Sequence, residues 1–164
     1  RDMRCHGIKQ KGNEGIYERL GYNYHMDEMS AALGISQLSR LEEILEKRRN
    51  VAKMYKQRLK NLEGISLQYE SPNIKKSWFV FTVRIHKDRN KVTQFLRTNG
   101  IQCSEYFLAI HLRPFYVKEF GYEEGDFPVT EEVASQNLAL PFYNNLTEED
   151  IDYVVGKLEE AIKL

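Results

Sequence analysis

The sequence predicts an α+β fold: a helical N-terminal arm followed by a small, mainly antiparallel sheet covered by helices. Three observations predict it. Apolar residues recur at three- and four-residue steps between Leu41 and Leu62, which is a helical period. From residue 65 to residue 107, short runs of β-branched and aromatic residues alternate with one helical stretch. The resulting order of strand, strand, helix, strand with short connections suggests one sheet with helices on one face.

Each element follows from its own residues. Residues 1–24 carry glycines at 7, 12, 15 and 21 and read as irregular chain. A short helix starts at Asp27, where Met26, Met29 and Leu33 accompany the small set Ser30, Ala31, Ala32 and Gly34. The long helix uses Leu41, Leu45, Ala52, Tyr55, Leu59 and Leu62, with the stem of Arg48 interrupting the stripe. Glu63-Gly64 closes it. Ile65–Tyr69 alternates with period two, Ser71-Pro72-Asn73 is a turn, and Ser77–Ile85 is the strongest strand signal. Asp88 is the expected N-cap of a helix using Val92, Phe95 and Leu96 and ended by Asn99-Gly100. Ile101–Phe107 is the next expected strand. Short helices around Phe115–Phe120 and Val129–Gln136 and the segment Leu138–Phe142 follow. Thr147 opens a final helix whose acidic first turn suits the helix dipole and whose stripe is Ile151, Val154, Val155, Leu158 and Ile162.

Composition narrows the function classes. A chain of 164 residues is long enough for one domain of roughly 150 residues with a real core. Its 24 basic and 24 acidic side chains balance, which argues against a dedicated nucleic-acid binder. No apolar run approaches the ~20 residues of a membrane span, and no signal peptide opens the chain, so a cytoplasmic protein is expected. Cys5 and Cys103 form neither a zinc pattern nor a disulfide framework. The chain opens on Arg1 rather than Met, the beginning expected of a fragment or a trimmed product.

Several groups could carry chemistry. His111 and Arg113 stand in a predicted loop, where such a pair suits an anionic or hydroxylated substrate and equally suits an exposed loop pair. Cys103 is expected mid-strand, where a free cysteine behaves as a small buried hydrophobe rather than a nucleophile. His6, His25, His86 and His111 lack metal-ligand spacing, so no metal is expected. Arg49, Lys53, Lys56 and Lys60 form a basic helical stripe that could follow a phosphate backbone or simply be a solvated face. Asn145-Leu146-Thr147 fits a glycosylation pattern, although a capping Thr147 explains it more simply. In Gly21-Tyr22-Asn23-Tyr24-His25-Met26, two tyrosines flank an Asn just before a helix, an arrangement suited to an anion such as phosphate.

Four ordered segments carry a resemblance. Leu20–Leu41, with its Gly-Tyr-Asn-Tyr-His-Met opening, closely resembles the corresponding segment and helix of the DegT/StrS family of sugar aminotransferases. Arg4-Cys5-His6-Gly7 resembles the family's Arg-x-His-Gly stretch. Ile110-His111-Leu112-Arg113-Pro114 resembles its Ile-His-Leu-Gln-Pro segment, and Leu140-Pro141 through Leu146-Thr147 its closing motif. The likeness covers nearly the whole chain.

The resemblance implies the small domain of a fold-type-I aminotransferase that uses pyridoxal 5′-phosphate (PLP) to move an amino group from glutamate to a nucleotide-linked keto sugar. It implies end of large domain and interface arm at residues 1–40, a connecting helix at 41–62 and the small domain at 63–164. The lysine that binds PLP as a Schiff base would lie upstream, so no catalytic residue is expected here and the isolated chain is expected to be inert. Asn23 matches the family Asn that reaches a neighbouring subunit's PLP phosphate across a homodimer interface. His111 matches a His near the sugar-nucleotide pocket. His25 replaces an Arg of many members and bears on interface or substrate contacts. Ser104 replaces a further Arg, and Leu108-Ala109 replace a pair of prolines. A stand-alone dimerisation or regulatory module is the alternative, and neither reading calls for a membrane.

Overall fold

The computed structural model describes residues 2–11 and 14–164, and its contacts divide the chain into two compact units, Arg1–Leu41 and Glu42–Leu164. In the second unit, helix α2 (Leu41–Leu59) leads into strand β3 (Ile65–Leu67), strand β4 (Phe81–Ile85) and helix α3 (Arg89–Thr98). Short helices α4 (Pro114–Phe120) and α5 (Pro128–Gln136), strand β5 (Asn137–Leu140) and helix α6 (Glu148–Lys163) complete it. The fold is α+β, as the sequence predicts.

The three strands form one antiparallel sheet in the order β3-β4-β5. Register decides which side chains meet. Phe81 opposes Leu140 and Val83 opposes Leu138, so these residues share one face and are buried together. Against that face lie Val51, Ala52, Tyr55 and Leu59 of α2 and Ile151, Val154, Leu158 and Ile162 of α6. Phe81 sits at the centre, with ring centroids 4.8 Å from Tyr55, 5.6 Å from Trp78 and 6.2 Å from Phe142. The buried Tyr55 hydroxyl donates to the Pro141 carbonyl at 2.9 Å, so the core keeps no orphaned phenol there. Asp88 caps α3 by accepting from the Asn90 and Lys91 amides. Thr147 and Asp150 form a reciprocal capping box on α6.

Three sequence expectations are corrected. The strand expected over Ser77–Ile85 starts only at Phe81, because Trp78 takes a left-handed backbone with φ 53°. That conformation costs a non-glycine residue ~1–2 kcal/mol. Burial of the indole against Phe81 offsets it, and Lys76 lies over the outer ring face, 4.3 Å from the centroid. The strand expected over Ile101–Phe107 is reduced to a single bridge, Ser104 with Ala139. The third strand of the sheet is β5, from far later in the chain. Residues 1–24 are not all irregular: strands β1 (Ile8–Lys11) and β2 (Glu14–Tyr17) pair as an antiparallel hairpin. Every residue of β2 is exposed, so no alternating pattern announces it, and Gly12 lies outside the described residues.

The first unit ends in helix α1 (Glu28–Ser39), which buries no residue; Met29, Leu33, Ile35 and Leu38 are exposed. Part of the basic run on α2 is neutralised, including Arg49 and Lys56 of its stripe. Lys47 pairs with Glu43, Arg49 with Glu46, Lys56 with Glu70, and Arg58 with Glu148 and Asp152. Each such pair lowers the charge the face could offer a phosphate backbone. No helix among the described residues is long and apolar enough to cross a membrane.

Candidate functional site

Two places gather the residues singled out from the sequence, one in each unit. In the first unit, residues 22–24 run antiparallel to residues 3–6. Tyr22 donates its amide to the Met3 carbonyl at 2.7 Å, His6 to Tyr22 at 3.0 Å, and Tyr24 to Arg4 at 3.0 Å. Two glycines make this closeness possible. A Cβ on Gly21 would stand 1.9 Å from the Gly7 nitrogen, and one on Gly7 would stand 1.8 Å from the Arg19 carbonyl oxygen. Gly7 also has φ 74°.

Alternation along this extended segment puts Tyr22 and Tyr24 on one side, where their rings stack at 5.0 Å and 8°. Asn23 falls on the other side. Its carboxamide is exposed and has no hydrogen-bond partner among the described residues, although its backbone is fixed by the bridge to Cys5. The His25 and His6 ring centroids are 6.2 Å apart, and both residues are exposed. Asp27 then caps α1, accepting from the Ser30 amide at 2.8 Å and the Ser30 hydroxyl at 2.7 Å, which holds its carboxyl below the usual range. A rigid backbone thus presents one unengaged amide group. That group can donate to a phosphate oxygen without first breaking an internal bond.

In the second unit, His111 is not in an exposed loop. It sits in a 3-10 turn, Ile110–Leu112, and is buried. Burial of an imidazole requires a partner, and Glu131 supplies it, with Nε2 and Oε1 2.9 Å apart. The Glu131 carboxylate also accepts from the Gly125 amide at 2.9 Å and the Phe127 amide at 3.2 Å. Burial pushes its pKa up, but the bonds from His111, Gly125 and Phe127 outweigh this and hold it below the usual carboxylate range. His111 borders a cavity of about 650 Å³ whose aromatic wall is Tyr106, Phe107, Tyr116, Phe120, Tyr122 and Phe127. Such a wall suits a flat ring, with His111 as its polar contact.

Arg113 turns away, donating to the Ala109 carbonyl at 3.3 Å, so the His–Arg pairing expected from sequence does not form one anion site. A wider opening of about 830 Å³ runs beside Cys103, but its one cationic side chain, Arg97, is turned to the backbone. Arg97 grips the Cys103 carbonyl through Nε at 3.2 Å and Nη2 at 3.0 Å. Burial raises the Cys103 thiol pKa, which leaves it a poor nucleophile.

Sequence reasoning missed Glu131 and the aromatic cavity. A signal existed for the first: α5 begins with Pro128 after Phe127, whose side chain cannot cap, so an acid in the first turn must satisfy the free amides.

A profile of the DegT/DnrJ/EryC1/StrS aminotransferase family matches residues 1–159. This chain belongs to that family. It is 35% identical to an uncharacterised protein of Methanocaldococcus jannaschii, over 98% of this chain and 45% of that protein. It is 29% identical to the GDP-perosamine synthase of Caulobacter vibrioides, over 87% of this chain and 39% of the synthase. Among solved structures, DesV of S. venezuelae in complex with a ketimine intermediate matches with TM-score 0.88 and 30% identity, over 99% of this chain and 43% of DesV. The chain therefore spans less than half the length of the family relatives it matches.

Proposed function

We propose that this chain is the C-terminal part of a PLP-dependent enzyme that moves an amino group from glutamate to a nucleotide-linked keto sugar in the cytoplasm. The observation that carries the reading is the unengaged Asn23 carboxamide on a backbone locked by Gly7 and Gly21. Family membership and the aromatic cavity beside His111 support it.

PLP, when bound, supplies an electron sink for charge developing at the substrate carbon next to nitrogen. The lysine that carries it lies outside these residues, and so does most of its pocket. The contribution of this chain is binding and orientation. Asn23 donates an N–H to the PLP phosphate of a neighbouring subunit, which makes the enzyme a homodimer with a shared site. The stacked Tyr22 and Tyr24 stiffen the segment that reaches across. His25 contacts the substrate side of the same interface, with His6 beside it. The cavity at His111 receives part of the nucleotide sugar and excludes water around it. Residues 1–40 then serve as the interface arm, 41–62 as the connecting helix and 63–164 as the small domain.

The test is the rate at which the full-length protein loses PLP on dialysis. Asn23→Ala is expected to weaken PLP retention about tenfold, the effect of losing a hydrogen bond to a charged phosphate. Retention identical to the unaltered protein would overturn the assignment.

A further inference from the structure

We propose that Glu131 is a positioning residue that fixes the His111 imidazole, leaving its Nδ1 as an acceptor for a hydroxyl or N–H group of the ligand in the aromatic cavity. The proposal rests on reading that cavity as a substrate site.

Gly125 donates its amide to both Glu131 oxygens, at 3.0 and 2.9 Å, and Phe127 donates to Oε1 at 3.2 Å. An ionised carboxylate only accepts. The ring nitrogen 2.9 Å from Oε1 must therefore be the donor, so Nε2 carries a proton. In the neutral form of the ring, the lone pair then sits on Nδ1.

Nothing among the described residues uses that lone pair. Nδ1 has no partner among the described residues, and it is not sealed off either. Among the described residues it does not belong to the fully buried side-chain atoms that lack a hydrogen bond, so Nδ1 keeps some exposure. Ring rotation is restricted as well. Phe127 lies 4.8 Å from the imidazole centroid at 60°, and Tyr122 meets it edge-on at 6.3 Å and 88°. One nitrogen is tied down, the ring is wedged between two aromatics, and the residue lines the cavity. A ligand with a hydroxyl or N–H at that point is favoured. One with a carbonyl or ether oxygen there meets lone pair against lone pair.

Imidazole nitrogen NMR on the 164-residue chain tests the ring assignment directly. The expected spectrum shows a His111 proton on Nε2, slow to exchange with water, and a bare Nδ1. Glu131→Ala should speed exchange of that proton at least about tenfold. Glu131→Gln, whose amide oxygen still accepts, should restore most of the protection. A proton on Nδ1, or equal protection in Glu131→Ala, would overturn the assignment. Because Glu131→Ala also frees the Gly125 and Phe127 amides, the Gln variant separates ring orientation from loss of the turn. In the full-length protein, affinity for GDP-mannose and UDP-glucose should fall about tenfold in Glu131→Ala and recover in Glu131→Gln. Unchanged affinity alongside a released ring would overturn the positioning role. A ring assigned as expected in a protein that binds no nucleotide sugar would instead overturn the functional reading of the cavity.

Discussion

Gly21 and Tyr55 show how single residues hold this protein to its shape. No β-carbon fits at Gly21 without moving the Gly7 backbone, so Gly21→Ala is expected to cost more than ~1 kcal/mol locally. Hydrogen exchange checks this: the Tyr22 and Tyr24 amides should lose protection, while the amides of α6 stay unchanged. Tyr55 is a different case. Burial first, then the charges of Tyr143 and Asp150, raise its pKa well above the ordinary 10.0. A raised acid contributes stability that is complete below the unfolded value and is lost as pH climbs through and beyond 10. Tyr55→Phe should lose about 1 kcal/mol at neutral pH, through the bond to Pro141, and flatten the alkaline fall in stability. An equally steep alkaline loss in the variant would contradict that account. The sequence singles out Asn23 because a flanked Asn before a helix is a local pattern. It does not single out Glu131, since its partner lies 20 positions away and the contact exists only after folding.

Among the elements, α6 is held by its ends as well as its stripe. Thr147 accepts from the Asp150 amide at 3.2 Å while Asp150 accepts from the Thr147 amide at 3.1 Å. Thr147→Ala should destabilise the protein by ~1 kcal/mol in urea unfolding with an unchanged slope. Helices were the legible part of this fold. Apolar period, the caps Asp88 and Thr147, and prolines at the starts of α4 and α5 are all written within one turn of each boundary. Strands were harder to read for physical reasons. The aromatic run at 77–85 reads as uninterrupted strand, yet packing of the Trp78 ring turns its backbone out of line. The run at 101–107 has strand composition, but β5 takes the central pairing with β4 and leaves Ser104 a single bridge at the edge. Pairing partners that are remote in sequence leave no local mark.

At the scale of the whole molecule, the two units differ in what they bury. The second encloses a continuous core from Val51 to Ile162, enough for independent stability. The first relies on backbone pairing, and its helix α1 keeps Met29, Leu33 and Leu38 in the open, as suits the interface arm proposed for it. The same division runs through the proposed chemistry. Asn23 and His25 belong to the arm, His111 to the core unit, and the lysine proposed to carry PLP to neither. One measurement tests that claim most directly: peptide mapping of the PLP-bearing lysine after borohydride reduction, in the full-length protein and in this chain. The account predicts one modified lysine in the full-length protein, outside these 164 residues, and no stoichiometric adduct on the chain alone. A stoichiometric adduct on a single lysine within the chain would contradict it.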